Sequence, residues 1–272
     1  MKLSEILARV ELAISNEDSN AALGAINVGL IFYPRNPELI EFFNKIIDKY
    51  DSDFFNSSSI ETYQSAQSYL QLTELFYKYS TVADVGAGMG SWSRAAVEMG
   101  KNVISIDGEW VEKINPNQSL KYIFLDLNHE LKISRKFDLS ICVEVAEHLA
   151  PERSESFIFE LCQLSDVIIF GAALPRQGGV GHINCRPHSF WIDLFSINGF
   201  EVLDAFRPSF WYNGRVAPYY TQNTFLFCKK NMHGLIAKIQ KPSIVNVYHP
   251  KVVLDCPIIL QDHLSGKIDP VI

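Results

Sequence analysis

The segment Asp84-Val85-Gly86-Ala87-Gly88-Met89-Gly90 puts one carboxylate and three glycines into seven positions, directly after an apolar run at 81–85. A glycine turn between a strand and a helix exposes backbone N–H groups and lets a ligand come close to the chain. A dinucleotide-binding turn would want glycine or alanine at position 91, where this chain has Ser91, and an acid inside it would repel a pyrophosphate. Asp84 suits a ligand with an ammonium group instead, which a carboxylate at a strand end can hold by charge-assisted hydrogen bonds. Asp107 ends the run Val103-Ile104-Ser105-Ile106, about twenty residues beyond the glycines, where one carboxylate accepts from two ribose hydroxyls. Asp126, in Phe124-Leu125-Asp126-Leu127, is expected to end a third strand and accept from an adenine amino group. A lone acid at a strand end is usually just exposed. Three at successive strand ends, on the ligand side of an open α/β sheet, form a site.

A second group of residues has acid–base character. In Glu144-Val145-Ala146-Glu147-His148-Leu149 the two acids and the histidine stand at i, i+3 and i+4, which predicts one shared face on a helical turn. Further on, Gly178-Gly179-Val180-Gly181-His182-Ile183-Asn184 predicts a tight loop that brings His182 to the same sheet edge. His182 is the first candidate for a general base, with Glu147 and His148 beside it. Its plainer alternative is a histidine that only holds the loop, and His188, near a helix start, is read as structural.

These groups need elements to place them. Apolar runs at 81–85, 102–106, 120–125, 137–143 and 166–171, separated by helical or loop stretches, predict a parallel sheet with crossover helices. Runs near 200–206 and 223–229 predict an antiparallel pair at the edge, joined by a link with no obvious helix. The fold class is therefore α/β, a doubly wound, mostly parallel sheet with an N-terminal helical extension. Leu3, Ile6, Leu7, Val10 and Ile14 recur at helical spacing, as do Leu39, Ile40, Phe43, Ile46, Ile47 and Tyr50 after an Asn36-Pro37 start. Residues 20–50 look like one helical hairpin similar to a tetratricopeptide unit, which must pack on the main domain or on a second subunit, giving a homodimer. A further helix is expected through Tyr63, Ala66, Tyr69, Leu70 and Phe76, and Pro151 is expected to start another. The divisions are an extension over 1–60, a main domain over 61–230, and a tail over 231–272 that wraps the domain.

Composition narrows the partners. The formal charge is −7 with both signs interspersed, so the basic stripe that nucleic acid requires is absent, and a small neutral or cationic acceptor is expected. Five scattered cysteines, Cys142, Cys162, Cys185, Cys228 and Cys256, have no metal-type pairing and fit the reduced thiols of a cytoplasmic protein. No signal peptide or membrane span is read.

The segments VADVGAGMG, VISIDG, FLDLN and FDLSICVEVAEHL, in this order over residues 81–149, resemble the successive cofactor motifs of class I S-adenosylmethionine-dependent methyltransferases. The resemblance implies a seven-stranded Rossmann-like sheet with its last strand antiparallel. It also implies a cofactor set of Asp84, Gly86, Ala87, Gly88, Gly90, Trp92, Asp107, Gly108, Asp126, Leu127 and Glu144. GGVGHIN, FWIDLFSINGF and RPSFWYNGRVAPYYTQN resemble a bacterial subgroup associated with polysaccharide and natural-product pathways, although Cys185-Arg186 stands where that subgroup usually has Gln-Trp. The implied reaction is O-methylation of a sugar or secondary-metabolite hydroxyl, with Phe210, Trp211, Tyr212, Tyr219 and Tyr220 covering the acceptor. Two alternatives stay open: a metal-assisted RNA 3′-end 2′-O-methyltransferase, and a non-catalytic cofactor-binding assembly partner. Glu144, Glu147, His148 and His182 resemble the two-Glu, two-His divalent-ion set of the small-RNA enzymes. Such a set would suit magnesium or manganese, but the same motif is common without metal, and no metal is the expectation.

Overall fold

The computed structural model describes residues 2–15, 37–39, 41–42, 52–114, 119–179 and 181–255. Most of the hairpin expected over 20–50, and the tail beyond 255, lie outside them. Helix α1 (Leu3–Ser15) buries Ile6, Val10 and Ala13 along one stripe, as its spacing predicts. Helix α2 (Ser52–Phe76) crosses position 60 without a break, so residues on both sides of that expected division share one helix.

The strands are β1 (Thr81–Val85), β2 (Asn102–Asp107), β3 (Tyr122–Phe124), β4 (Leu139–Val143), β5 (Val167–Gly171), β6 (Phe200–Leu203) and β7 (Thr224–Lys229). They form one seven-stranded sheet in the order β3-β2-β1-β4-β5-β7-β6. β1 to β5 run parallel, and β7 inserts antiparallel between β5 and β6. Alternation along the strands feeds two apolar layers. Val82, Ile141, Val167, Ile169 and Leu226 face one layer, with α2 and α3 (Ser91–Glu98). Ala83, Cys142, Ile168, Phe170 and Phe225 face the other, with α5 (Ser154–Leu164) and α6 (His188–Ile197). A short helix α4 (Trp110–Ile114) follows β2.

Several local expectations are corrected. β3 stops at Phe124, two residues before Asp126. Pro151 opens a 3-10 turn (Pro151–Arg153) that leads into α5. The link between β6 and β7 contains two short helices, α7 (Arg207–Phe210) and α8 (Pro218–Asn223), each with a proline in its first turn. Phe210 and Tyr220 are core residues, whereas Tyr212 is almost fully exposed.

The described part of the tail runs to residue 255. It contributes α9 (His233–Ile236) and α10 (Pro250–Asp255), and Arg207 holds it down. That buried guanidinium pairs with Asp204 at 2.7 Å and donates to the carbonyls of Ile244 and Val245. Removing one partner of a buried, hydrogen-bonded pair costs about 3–5 kcal/mol, because the other charge is left uncompensated. Arg207→Ala should therefore lower unfolding stability by about 3 kcal/mol and expose amides of 244–249 to hydrogen exchange. Urea denaturation and exchange mass spectrometry read the two effects separately.

Candidate active site

The glycine turn grows out of β1. Gly86, Gly88 and Gly90 all have positive φ, and the N–H groups of Gly86 and Ala87 donate to the Ile106 carbonyl at 2.8 and 3.2 Å. Asp107, the last residue of β2, clamps the turn from the side. Its carboxylate accepts from the N–H of Gly88 and of Gly108, both at 2.7 Å, and Tyr122 donates to the Gly88 carbonyl. Burial raises the Asp107 pKa, against the lowering effect of the two backbone donors.

Asp84 lies beneath this turn, only 2% exposed. β-Register places Ser105 beside it, and Ser93 of α3 donates to it at 2.6 Å while touching Ser105 Oγ at 2.6 Å. Burial pushes the Asp84 carboxyl up to about 7 even though the Ser93 donors oppose the shift. Ser93 and Ser105 went unnoticed in the sequence, where neither stands in a recognisable pattern.

Glu144 follows β4 with a φ of 54°, and the 3-10 turn Ala146–His148 starts after it. The expected helical face is thus corrected to a strained corner followed by a tight turn. The corner still brings the Glu144 and Glu147 carboxyls within hydrogen-bonding reach of each other. Asn223 and Gln177 donate to the two Glu144 oxygens at 2.8 and 3.4 Å. Glu147 is fully buried; Ala173 N–H donates to Oε1, and Oε2 has no donor. Burial, then the charge of Glu144, holds the Glu147 carboxyl well above the usual range.

The loop after β5 docks on this turn through Asn184. The N–H groups of Ile183 and Asn184 both donate to the Glu147 carbonyl at 2.9 Å, and the Asn184 amide donates to the Ala146 carbonyl and to Ser154. This seats His182 edge-on to His148, ring centroids 4.8 Å apart. A Cβ at Gly179 would overlap the His182 ring, so only glycine fits there. Burial drops the His182 pKa to about 3 and lowers that of His148 as well. Both rings are neutral near pH 7.

Two clusters therefore form at the carboxyl edge of the parallel strands. One holds Asp84, Gly86, Ala87, Gly88, Gly90, Asp107 and Gly108; the other holds Glu144, Glu147, His148 and His182. Three expected cofactor residues fall outside them. Trp92 is a core residue, packed edge-on against Tyr69 and Tyr220 at 5.6 and 5.5 Å. Leu127 is buried in the layer beneath α5 and α6. Asp126 is exposed in a turn, where it accepts from Asn128 N–H and meets His129 at 3.0 Å.

The sequence reading also missed a buried amide cluster behind Glu144. Gln222 donates to Gln177 and Asn223, both at 2.9 Å, and accepts from His249 N–H at 2.7 Å. His188 spans Asn223 and the Val245 carbonyl, which agrees with its structural reading. The pair Gln222-Asn223 carried a signal only as two polar residues directly before the apolar run of β7.

No family model and no curated protein matches the chain. Among solved structures, it is similar to DesVI of Streptomyces venezuelae, with a TM-score of 0.51, 11% identity, and coverage of 65% of this chain and 95% of that one. Another is the magnesium protoporphyrin IX methyltransferase of Synechocystis PCC 6803 with bound S-adenosylmethionine, with a TM-score of 0.44, 19% identity, and coverage of 62% and 78%. The seven-stranded, mostly parallel sheet with flanking helices is a Rossmann-like fold. Among the described residues no helix is long and apolar enough to cross a membrane.

A Cβ at Gly86 would overlap the Val145 side chain, and the φ of 76° adds strain for any other residue. Gly86→Ala should cost about 2 kcal/mol or more, and Val145→Ala should recover part of that loss, a coupling that a double-mutant cycle of unfolding energies measures. Asp84 has the opposite consequence. A carboxyl whose folded pKa is raised stabilises the fold most below its unfolded pKa, and the contribution is lost as pH climbs through about 7. Asp84→Asn should therefore raise the Tm of the ligand-free protein at pH 8 and change it little at pH 4, as followed by differential scanning calorimetry.

Proposed function

We propose that this protein is an S-adenosylmethionine-dependent methyltransferase that O-methylates a hydroxyl of a small molecule, such as a sugar or natural product. One observation carries the reading. Four acids, Asp84, Asp107, Glu144 and Glu147, are gathered at the edge of a Rossmann-like sheet with no Lys or Arg hydrogen-bonded to any of them among the described residues. A field of that sign favours a ligand bearing a sulfonium and an ammonium and disfavours a pyrophosphate. In this reading Asp107 meets the ribose, and the glycine turn, which carries no bulky side chains, lets the rest of the ligand come close.

Methyl transfer from a sulfonium is an in-line displacement, so the protein's part is to align the acceptor oxygen and take up its proton. In this reading Glu147, His148 and His182 face the acceptor, and His182 Nδ1, which has no hydrogen-bond partner, is the available proton acceptor. The acids around them suit a small neutral acceptor better than a polyanion.

Titration calorimetry with S-adenosylmethionine tests the donor half. Asp107→Ala should abolish measurable binding, and Asp84→Asn should weaken it although the same change stabilises the empty fold. His182→Ala should leave binding intact and reduce turnover by about 10²–10⁴ on an acceptor found by screening. Wild-type protein that binds no S-adenosylmethionine would sink the reading. Tight binding without turnover on any acceptor would favour a non-catalytic assembly partner.

A further inference from the structure

We propose that the Trp110 indole is a latch on the cofactor site: in the empty protein it holds Asp107, and the ligand enters by exchanging its ribose hydroxyls for the indole N–H. The exchange rests on the methyltransferase reading; the latch itself belongs to the empty protein.

An ionised carboxylate offers about four acceptor positions. On Asp107 the N–H groups of Gly88 and Gly108 take two of them, both at 2.7 Å, and the Trp110 side chain donates a third bond. Nε1 carries the indole's one polar hydrogen, so the donor atom is fixed. A ribose that pairs both hydroxyls with Asp107 needs two positions, and about one remains. One donor has to leave.

The two N–H groups belong to the backbone of the glycine turn and of the end of β2, whereas the indole sits on a side chain at the start of α4. Its neighbour Val111 is fully buried and donates its N–H to the Gly108 carbonyl at 3.1 Å. Helix α4 is thereby seated while the Trp110 ring, 51% exposed, can swing outward without opening the core. The ring rests on Gly108, where a Cβ would lie 2.6 Å from Cδ1 and 2.9 Å from Nε1. A residue without a side chain at 108 is what lets the indole reach back to Asp107. Because a hydrogen bond to a charged acceptor is stronger than a neutral one, the latched form dominates in the empty protein. Apparent affinity for the ligand is then lowered by the fraction of molecules that are open.

The test labels the full chain with ¹⁵N-tryptophan, and Trp110→Phe assigns the Trp110 indole proton by its loss from the NMR spectrum. In the empty protein this proton should exchange with water about 5-fold or more slowly than in Asp107→Ala or Gly108→Ala. Gly108 is not among the positive-φ glycines, so alanine fits its backbone and displaces only the ring, and circular dichroism shows whether each variant is folded. Adding S-adenosylmethionine should move the wild-type indole proton upfield, toward its position in Gly108→Ala. By calorimetry Trp110→Phe, which keeps an aromatic ring and loses the N–H, should bind S-adenosylmethionine about 5-fold or more tightly than wild type. A ring that served only as a contact for the ligand would give unchanged or weaker binding, and either result overturns the latch. An indole proton that Asp107→Ala and Gly108→Ala leave equally protected overturns it as well. If neither wild type nor Trp110→Phe binds S-adenosylmethionine, the methyltransferase reading falls and the exchange with it, while the proton measurement still decides the latch.

Discussion

The contact between Gly86 and Val145 is the constraint on which the site depends. Because position 86 lacks a side chain, the corner after β4 can seat directly against the turn after β1. Neighbouring strands β1 and β4 already run parallel and in register, but register alone does not decide how the loops beyond their ends lie. The missing Cβ brings the glycine turn, with Asp84 beneath it and Asp107 at its side, against the corner that carries Glu144 and Glu147.

Bringing them together gathers negative charge in a dry place. Asp84, Asp107 and Glu147 are buried, and Glu144 is engaged by amides rather than by a cation. The fold tolerates this by hydrogen bonding, with Ser93 on Asp84, backbone N–H groups on Asp107, and Asn223 and Gln177 on Glu144. Glu147 receives the least help and has the strongest tendency to hold a proton. A cationic ligand would relieve the tension that these residues maintain, a common arrangement where strain and burial serve a site.

The rim is built from segments far apart in the chain. The loop after β5 is pinned to the turn after β4 by Asn184, while α8 and the tail are tied together through Gln222 and His249 N–H. Arg207 anchors the same tail from α7. The wall behind Glu144 is held by these side-chain bonds and by the pairing of Thr224, next to Asn223, with Gly171 of β5.

Much of the plan was legible in the residues. All seven strands fall where the apolar runs predict, and the glycine turn, Asp107 and the Glu-x-x-Glu-His segment were visible because each is local: a period of two, a turn that only glycine permits, an acid closing a strand. The burial of Trp92 was not legible, because a helix position after the turn does not reveal which face the ring will bury. Asp126 was misplaced because β3 ends two residues early and the acid caps its own turn. Gln177, Gln222 and Asn223 could not be found at all, since the bond from Asn223 to Glu144 spans 79 positions and leaves no periodicity to read. The sequence by itself determined the sheet, the turn and the acids at its edge, because backbone conformation and strand alternation are short-range properties. Only the tertiary structure decided how those acids are paired, and that His182 meets Glu147 and His148, because burial and long-range contact exist only once the chain has closed on itself.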